Sequence, residues 1–228
     1  KGSGVIIAGL LRAVHKHSNI RFLVHGPEDI LKPLIDKHDL EEFCTIVHAE
    51  RTVSMDDKPS QVMRHGKGTS MWSAVTSVKQ QEADACVSCG NTGALMAISM
   101  VRLRKLAGIN RPAIAILWPS FGPNGSNVML DVGADVRADE NDLLQFALMG
   151  ASYSRNGFAV KRPRVGLLNV GTEEHKGRAE LKAAHDLIKE SAETGQFEFL
   201  GFVEGGDIPS DRVDVIVTDG FTGNVALK

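Results

Sequence analysis

The chain has 228 residues, 43% apolar and 24% charged, with a formal net charge of −2. That length allows a real hydrophobic core, and the near-neutral balance excludes a general affinity for nucleic acid or anionic membrane. Three cysteines, Cys44, Cys86 and Cys89, exclude a disulfide framework and point to a reducing, cytoplasmic compartment.

The first apolar stretch, 5–11, is short and meets Arg12, which fits an amphipathic helix better than a leader or a membrane span of about 20 residues. Residues 20–26 (IRFLVHG) read as a buried strand, and Pro27 opens a helix with Glu28 and Asp29 in its first turn. A second strand covers 43–49, a loop and short helix 54–68, and a helix 70–81. Residues 85–90 (ACVSCG) read as a strand feeding a helix over 91–108. Strands at 113–119 and 127–133 flank the turn FGPNGS and form a hairpin. A long helix follows over 138–156, then a strand at 164–171, a helix at 178–194, and strands at 197–205 and 213–220. Strands alternating with helices predict βαβ units and a mostly parallel sheet, one α/β domain over 1–228. The chain starts at Lys1 and closes on a strand end and a helix beginning, the pattern expected of a piece of a longer protein.

Four predicted strands end alike. The first gives Ser88, Gly90, Asn91, Thr92 and Gly93, and the second Asp131, Gly133 and Asp135. The third gives Asn169, Gly171, Thr172, Glu173, Lys176 and Gly177, and the fourth Thr218, Asp219, Gly220, Thr222, Gly223 and Asn224. Open α/β sheets bind ligands beyond the carboxyl ends of their strands, glycines admit close backbone approach, and helix starts favour anions. Four such ends converging on one side of one sheet are expected to form a donor-rich pocket for phosphate or a developing oxyanion. The competing explanation is that these are turn formers and caps, for which Asn91, Thr92 and Thr222 are ordinary choices. Neither the P-loop spacing nor G-x-G-x-x-G is present.

Cys86 and Cys89 form a C-x-x-C within the apolar segment at 85–90. On a strand, positions three apart face opposite sides, so a buried, metal-free thiol pair is expected. His175 lies between Glu174 and Lys176, where both a general-base role and a solvated loop histidine fit. Arg111-Pro112 either brings a cation to the pocket or ends a loop.

The motifs ADACVSCGNTGALM, GINRPAIA, LDVGADV, PRVGLLNVGTEEHKG and VTDGFTGNVALK, in this order along nearly the whole chain, resemble the bacterial phosphate acyltransferases of the PlsX type. The resemblance implies a three-layer α/β/α sandwich with a phosphotransacetylase-like (isocitrate dehydrogenase-like) fold, usually a homodimer. It also implies a reaction, in which acyl-[acyl carrier protein] and inorganic phosphate give acyl phosphate and free carrier protein for phospholipid synthesis. A family strand ending in a glycine-rich segment is expected before Lys1, and a substantial portion after the final TGNVALK. Cys89 stands where alanine is common in the family, and Asp135 where asparagine is common, which puts an extra negative charge beside an anion pocket.

Phosphate attacking a thioester needs no protein nucleophile; positioning and preorganised donors suffice. Catalysis is accordingly assigned to Asn169, Thr172, Lys176 and Asp219. Substrate binding is assigned to Ser88, Gly90, Asn91, Thr92, Gly93, Asp131, Gly171, Gly177, Gly220, Thr222 and Asn224. Lys176 is assigned to neutralising phosphate as a point charge. No metal or cofactor is expected. The expected partners are acyl carrier protein, inorganic phosphate and a second copy of the chain, with room for peripheral membrane association. Arg102, Arg104 and Lys105 offer a basic face to an acidic carrier protein, although a solvated helix face explains them equally well. The rival readings are a phosphotransacetylase-like enzyme using acyl-coenzyme A and a non-catalytic anion-binding module.

Overall fold

The computed structural model describes residues 2–173 and 176–228. The chain divides into two compact units, Lys1–Leu106 and Ala107–Lys228.

The first unit contains helix α1 (Ser3–Lys16), strand β1 (Phe22–Gly26), helix α2 (Glu28–Asp36), strand β2 (Cys44–His48), and helices α3 (Pro59–His65), α4 (Ser70–Lys79) and α5 (Thr92–Arg102). β1 and β2 pair in parallel from Phe22 opposite Cys44 to Gly26 opposite His48. Ile7 of α1 and Leu31 and Ile35 of α2 pack with Val24 and Leu40, while Val62, Met71, Val75, Ala94 and Ile98 join α3, α4 and α5 in a separate cluster.

The strand expected at 85–90 is absent. A strand exists through its ladder, and among the described residues no chain segment pairs with this one. Val87 is 89% exposed there. The following helix stops at Arg102, before the expected 108, because Arg104 adopts a left-handed backbone.

The second unit holds strands β3 (Ala115–Pro119) and β4 (Ser126–Leu130), helix α6 (Glu140–Phe158), strand β5 (Arg164–Leu168), helix α7 (Ala179–Ser191), strands β6 (Glu198–Val203) and β7 (Val215–Val217), and helix α8 (Gly220–Leu227). The sheet order is β3-β4-β7-β5-β6, with the expected β3–β4 hairpin antiparallel and every other pairing parallel. Both faces are covered at the central strands, which is why 128–130, 165–168 and 215–217 read as apolar runs, whereas alternate residues of the edge strand β3 are exposed. Val128, Leu130, Val165, Leu167, Val215 and Val217 pack under α6 and α7, and Met129, Leu168, Val203 and Ile216 pack on the opposite side.

Helix α6 buries Leu143, Phe146, Ala147, Gly150, Ala151 and Ser154, the stripe of a helix lying on a sheet. Asp139 and Asp142 form its capping box. At Gly150 a Cβ would come within 2.5 Å of Val215, so the missing side chain sets how closely α6 approaches β7. Each large side chain fully buried in this layer contributes roughly 1.5–3 kcal/mol of hydrophobic stabilisation.

Candidate functional site

β4, β7 and β5 are adjacent and parallel, so their carboxyl ends emerge on one side of the sheet. Three of the four donor-rich segments therefore converge there, beginning at Asp131, Thr218 and Asn169. The fourth, at 88–93, follows no strand, so the expected convergence of all four on one sheet does not hold.

Asp131 is fully buried and organises the end of β4. Its Oδ1 accepts N–H bonds from Ile114, Gly133 and Ala134 at 2.9, 3.2 and 3.0 Å, and its Oδ2 accepts from Ala134 and Asp135 at 2.9 and 2.8 Å. Backbone amides thus surround a carboxylate assigned from sequence to substrate binding, and its place in the fold is that of a loop organiser. This ring of amides also turns the chain, which ends β4 at Leu130 instead of the expected 133.

Helix α8 is locked onto that loop. The Gly220 N–H donates to the Asp135 carbonyl at 2.8 Å, and Asn224 Nδ2 donates to the Val132 carbonyl at 3.1 Å. A Cβ on Gly220 would meet Asp131 Oδ2 at 2.7 Å, and one on Gly223 would overlap the Asp131 carbonyl. Glycine is needed at both positions because backbone lies against backbone. Asp219, 2% exposed, caps α8 by accepting the Thr222 N–H at 2.7 Å.

At the end of β5, Asn169 is buried, and its Nδ2 donates to the carbonyls of Gly171 and Lys176 at 3.1 and 3.2 Å, holding both beside it. Gly177, at φ +88°, lies against the Asn169 amide where a Cβ would overlap it. The Asn169 Oδ1 is buried and accepts no hydrogen bond among the described residues. Thr172 is exposed. Lys176 Nζ pairs with Glu173 at 2.7 Å, and that hydrogen bond raises the lysine pKa, keeping it charged. Glu174 and His175 lie outside the described residues, so the question posed by His175 falls there too.

Two arginines add charge at this end of the sheet. Arg178, at the N-cap of α7, donates from Nη2 to Asp219 Oδ2, with its own side chain 54% exposed. Sequence reasoning passed over it although it directly follows Gly177. Arg111 Nη1 pairs with Asp135 Oδ2 at 2.6 Å, and its Nε lies 3.8 Å from Asp142 Oδ2. Arg111-Pro112 thus puts a cation on the loop at 131–135. Burial raises the Asp142 pKa.

In the first unit, Asn91 is the N-cap of α5: Oδ1 accepts the Ala94 N–H at 3.0 Å, and Nδ2 donates to the carbonyls of Ser54, Met55 and Asp57 at 3.2, 3.2 and 2.9 Å. Ser88 Oγ accepts the Gly90 N–H at 3.2 Å, Thr92 is exposed, and a Cβ on Gly93 would sit 2.9 Å from the Pro59 ring. Cys89 is exposed and Cys86 only half-buried, which corrects the expected buried pair; without a strand, the alternation argument has no footing. Partial burial raises the Cys86 thiol pKa. Arg102 does not stand on a solvated face. Its guanidinium lies 5.1 Å from the Trp72 ring, its Nε donates to Thr76 Oγ1 at 3.1 Å, and it lines an open cavity of about 710 Å³ with Lys67 and His48.

The family model described as "Fatty acid synthesis protein" matches residues 1–228. The chain belongs to this family. Within the family, the phosphate acyltransferase of Paracoccus denitrificans is 66% identical over 229 aligned residues, and that of Cereibacter sphaeroides (strain ATCC 17025) is 65% identical. Each alignment covers 100% of this chain and 62% of the relative, so the chain spans about three-fifths of the relatives' length. A phosphotransacetylase structure from Streptococcus pyogenes superposes with a TM-score of 0.70 at 14% identity, covering 97% of this chain and 76% of that one. The family fold in this chain is therefore phosphotransacetylase-like, α/β with a mostly parallel sheet.

Proposed function

We propose that the chain carries the anion site of an enzyme converting acyl-[acyl carrier protein] and inorganic phosphate to acyl phosphate and free carrier protein, which feeds phospholipid synthesis. The observation that carries this reading is the convergence of three donor-rich strand ends around the start of α8. The names of the 66% and 65% identical relatives support it. A phosphate oxygen attacks the thioester carbonyl, the C–O bond forms, the tetrahedral oxyanion collapses, the C–S bond breaks, and the carrier thiolate departs. In this reading Thr172, an exposed hydroxyl on the segment after β5, donates to that oxyanion, and Lys176 supplies charge against phosphate. Asn169 holds Gly171 and Lys176 beside it, and Asp219 fixes the start of α8. Gly171, Gly177, Gly220, Thr222 and Asn224 shape the pocket wall of the second unit; in the first unit, taken by itself, Ser88, Gly90, Asn91, Thr92 and Gly93 are read as substrate-binding residues. The reading includes a single domain, a homodimer, and a cytoplasmic enzyme able to meet the membrane peripherally; no helix among the described residues is long and apolar enough to cross a membrane.

The test uses the full-length protein with long-chain acyl carrier thioester, with and without phosphate. Phosphate-dependent loss of thioester, with an acyl phosphate trapped by hydroxylamine, is expected. Faster turnover of acetyl-coenzyme A would favour the coenzyme A reading suggested by the phosphotransacetylase-like fold. Phosphate binding without turnover of either donor would leave an anion-binding module.

A further inference from the structure

We infer that Arg111 is the phosphate-positioning cation of this site, held in the free protein by Asp135 and released to the anion when phosphate arrives. The inference rests on the acyl-transfer reading above and names a residue that reading does not use. Asp135 is tied into the loop through its main chain: its N–H donates to Asp131 Oδ2 and its carbonyl accepts from Gly220, the first residue of α8. Its side chain is therefore fixed beside the start of that helix. There it carries Arg111 through one 2.6 Å contact, while Asp142 approaches the Nε edge at 3.8 Å.

The two carboxylates differ from Arg111 in freedom. The Asp135 and Asp142 side chains are 14% and 5% exposed, whereas that of Arg111 is 56% exposed. The acids are part of the scaffold, and the guanidinium has open solvent on its other side. A guanidinium has five donors in a planar fork, and the two contacts here use one Nη and the Nε edge. The remaining donors can engage phosphate oxygens in the bidentate manner arginine favours. The charge of Asp135, out of place beside an anion pocket, thereby becomes a competitor: it and phosphate bid for the same guanidinium. Lys176 differs in kind, being paired within its own loop by Glu173 at 2.7 Å.

Competition gives a sign that a merely structural salt bridge does not. Asp135→Asn keeps both main-chain hydrogen bonds and an acceptor for the Arg137 N–H, which now reaches Oδ1 at 3.3 Å. It removes the rival charge, so the phosphate KM of the full-length enzyme should fall about three- to tenfold. Arg111→Ala should raise the phosphate KM about tenfold, the scale of one charge-assisted contact discounted for exposure, with the acyl-donor KM changed less than about twofold. In the Arg111→Ala, Asp135→Asn double variant, the benefit of the asparagine should vanish, because there is no arginine to release. Inorganic phosphate isotherms and thermal melts of each variant separate binding from folding. A phosphate KM that stays level or rises in Asp135→Asn, or an asparagine benefit that persists without Arg111, would overturn the assignment while leaving the acyl-transfer reading intact. Wild-type protein that neither binds nor consumes phosphate would instead sink the acyl-transfer reading, and this one with it.

Discussion

The segments Asn91-Thr92-Gly93 and Asp219-Gly220-Phe221 look alike: each sets a short polar cap and a glycine at the head of a helix. In the first unit the cap residue is used up by its own surroundings, since Asn91 binds one amide and three carbonyls of a neighbouring loop. In the second unit Asp219 caps α8 with one oxygen, while the other holds a half-exposed arginine. The difference comes from what lies alongside. Three parallel strands end together in the second unit, so backbone from β4 and α8 meets at van der Waals distance and the charged groups are pushed to the rim. The start of α5 has no strand feeding it and clamps a loop instead.

The strongest test compares glycines. Gly223→Ala sets a Cβ against the Asp131 carbonyl, and neither backbone can yield without moving α8 or the β4 loop. We expect a loss of about 3 kcal/mol in urea unfolding, because overpacking outweighs the roughly 1 kcal/mol of helix propensity that alanine adds. Gly93→Ala makes its one tight contact with the Pro59 ring, at 2.9 Å, which can repucker, and meets Asn91 Oδ1 at an ordinary 3.6 Å. Its stability should stay within about 1 kcal/mol of wild type. Equal losses would erase the contrast between a locked and an adjustable helix start.

A second pair separates stability from function. Asn91→Ala removes a cap and strands three carbonyls, so it should cost about 2 kcal/mol in the same unfolding assay. Lys176→Ala should leave the melt unchanged, because the lysine is exposed. It should raise the phosphate KM of full-length enzyme severalfold, a smaller change than for Arg111, since an ammonium lacks the planar fork with which a guanidinium grips two phosphate oxygens. A phosphate KM that does not move in Lys176→Ala would remove that residue from the site.

The second unit was legible in the sequence because its signals are local. The runs at 165–168 and 215–217 are apolar throughout, as strands buried on both faces must be, and the polar residues Asn169 and Asp219 follow just beyond their ends. The segment at 85–90 carries the same local signal and forms no strand, since pairing depends on a partner that composition cannot supply. The candidate positions stand out in the sequence, but their side-chain orientations do not. Asp131 and Asn169 turn their polar atoms toward backbone, which no spacing rule foretells. The arginine pairs join residues 24 and 41 positions apart, beyond any helical or strand period.

The smallest effect distinguishes the units by pH. Burial lowers the pKa of His25, near the end of β1, where its Nδ1 lies 2.9 Å from Ser73 Oγ of α4; Glu82 acts more weakly in the opposite direction. Unfolded, this histidine takes up its proton near 6.5; folded, it does so only at lower pH. Between those values the unfolded chain binds the extra proton, so this contribution to stability is present above 6.5 and is lost as pH falls through the folded value. Asp142, in the second unit, has the opposite sign: burial raises its pKa, so its contribution is present below its ordinary 3.8 and lost as pH rises through the folded value. His25→Gln keeps a hydrogen-bonding group toward Ser73 and cannot titrate. The stability gap between wild type and this variant should therefore narrow between about pH 7.5 and about pH 5, as read from urea midpoints, while all other histidines cancel in the comparison. A gap that is constant or widens on acidification would show that His25 charges as readily in the fold as out of it, and that the β1–α4 contact does not exclude water.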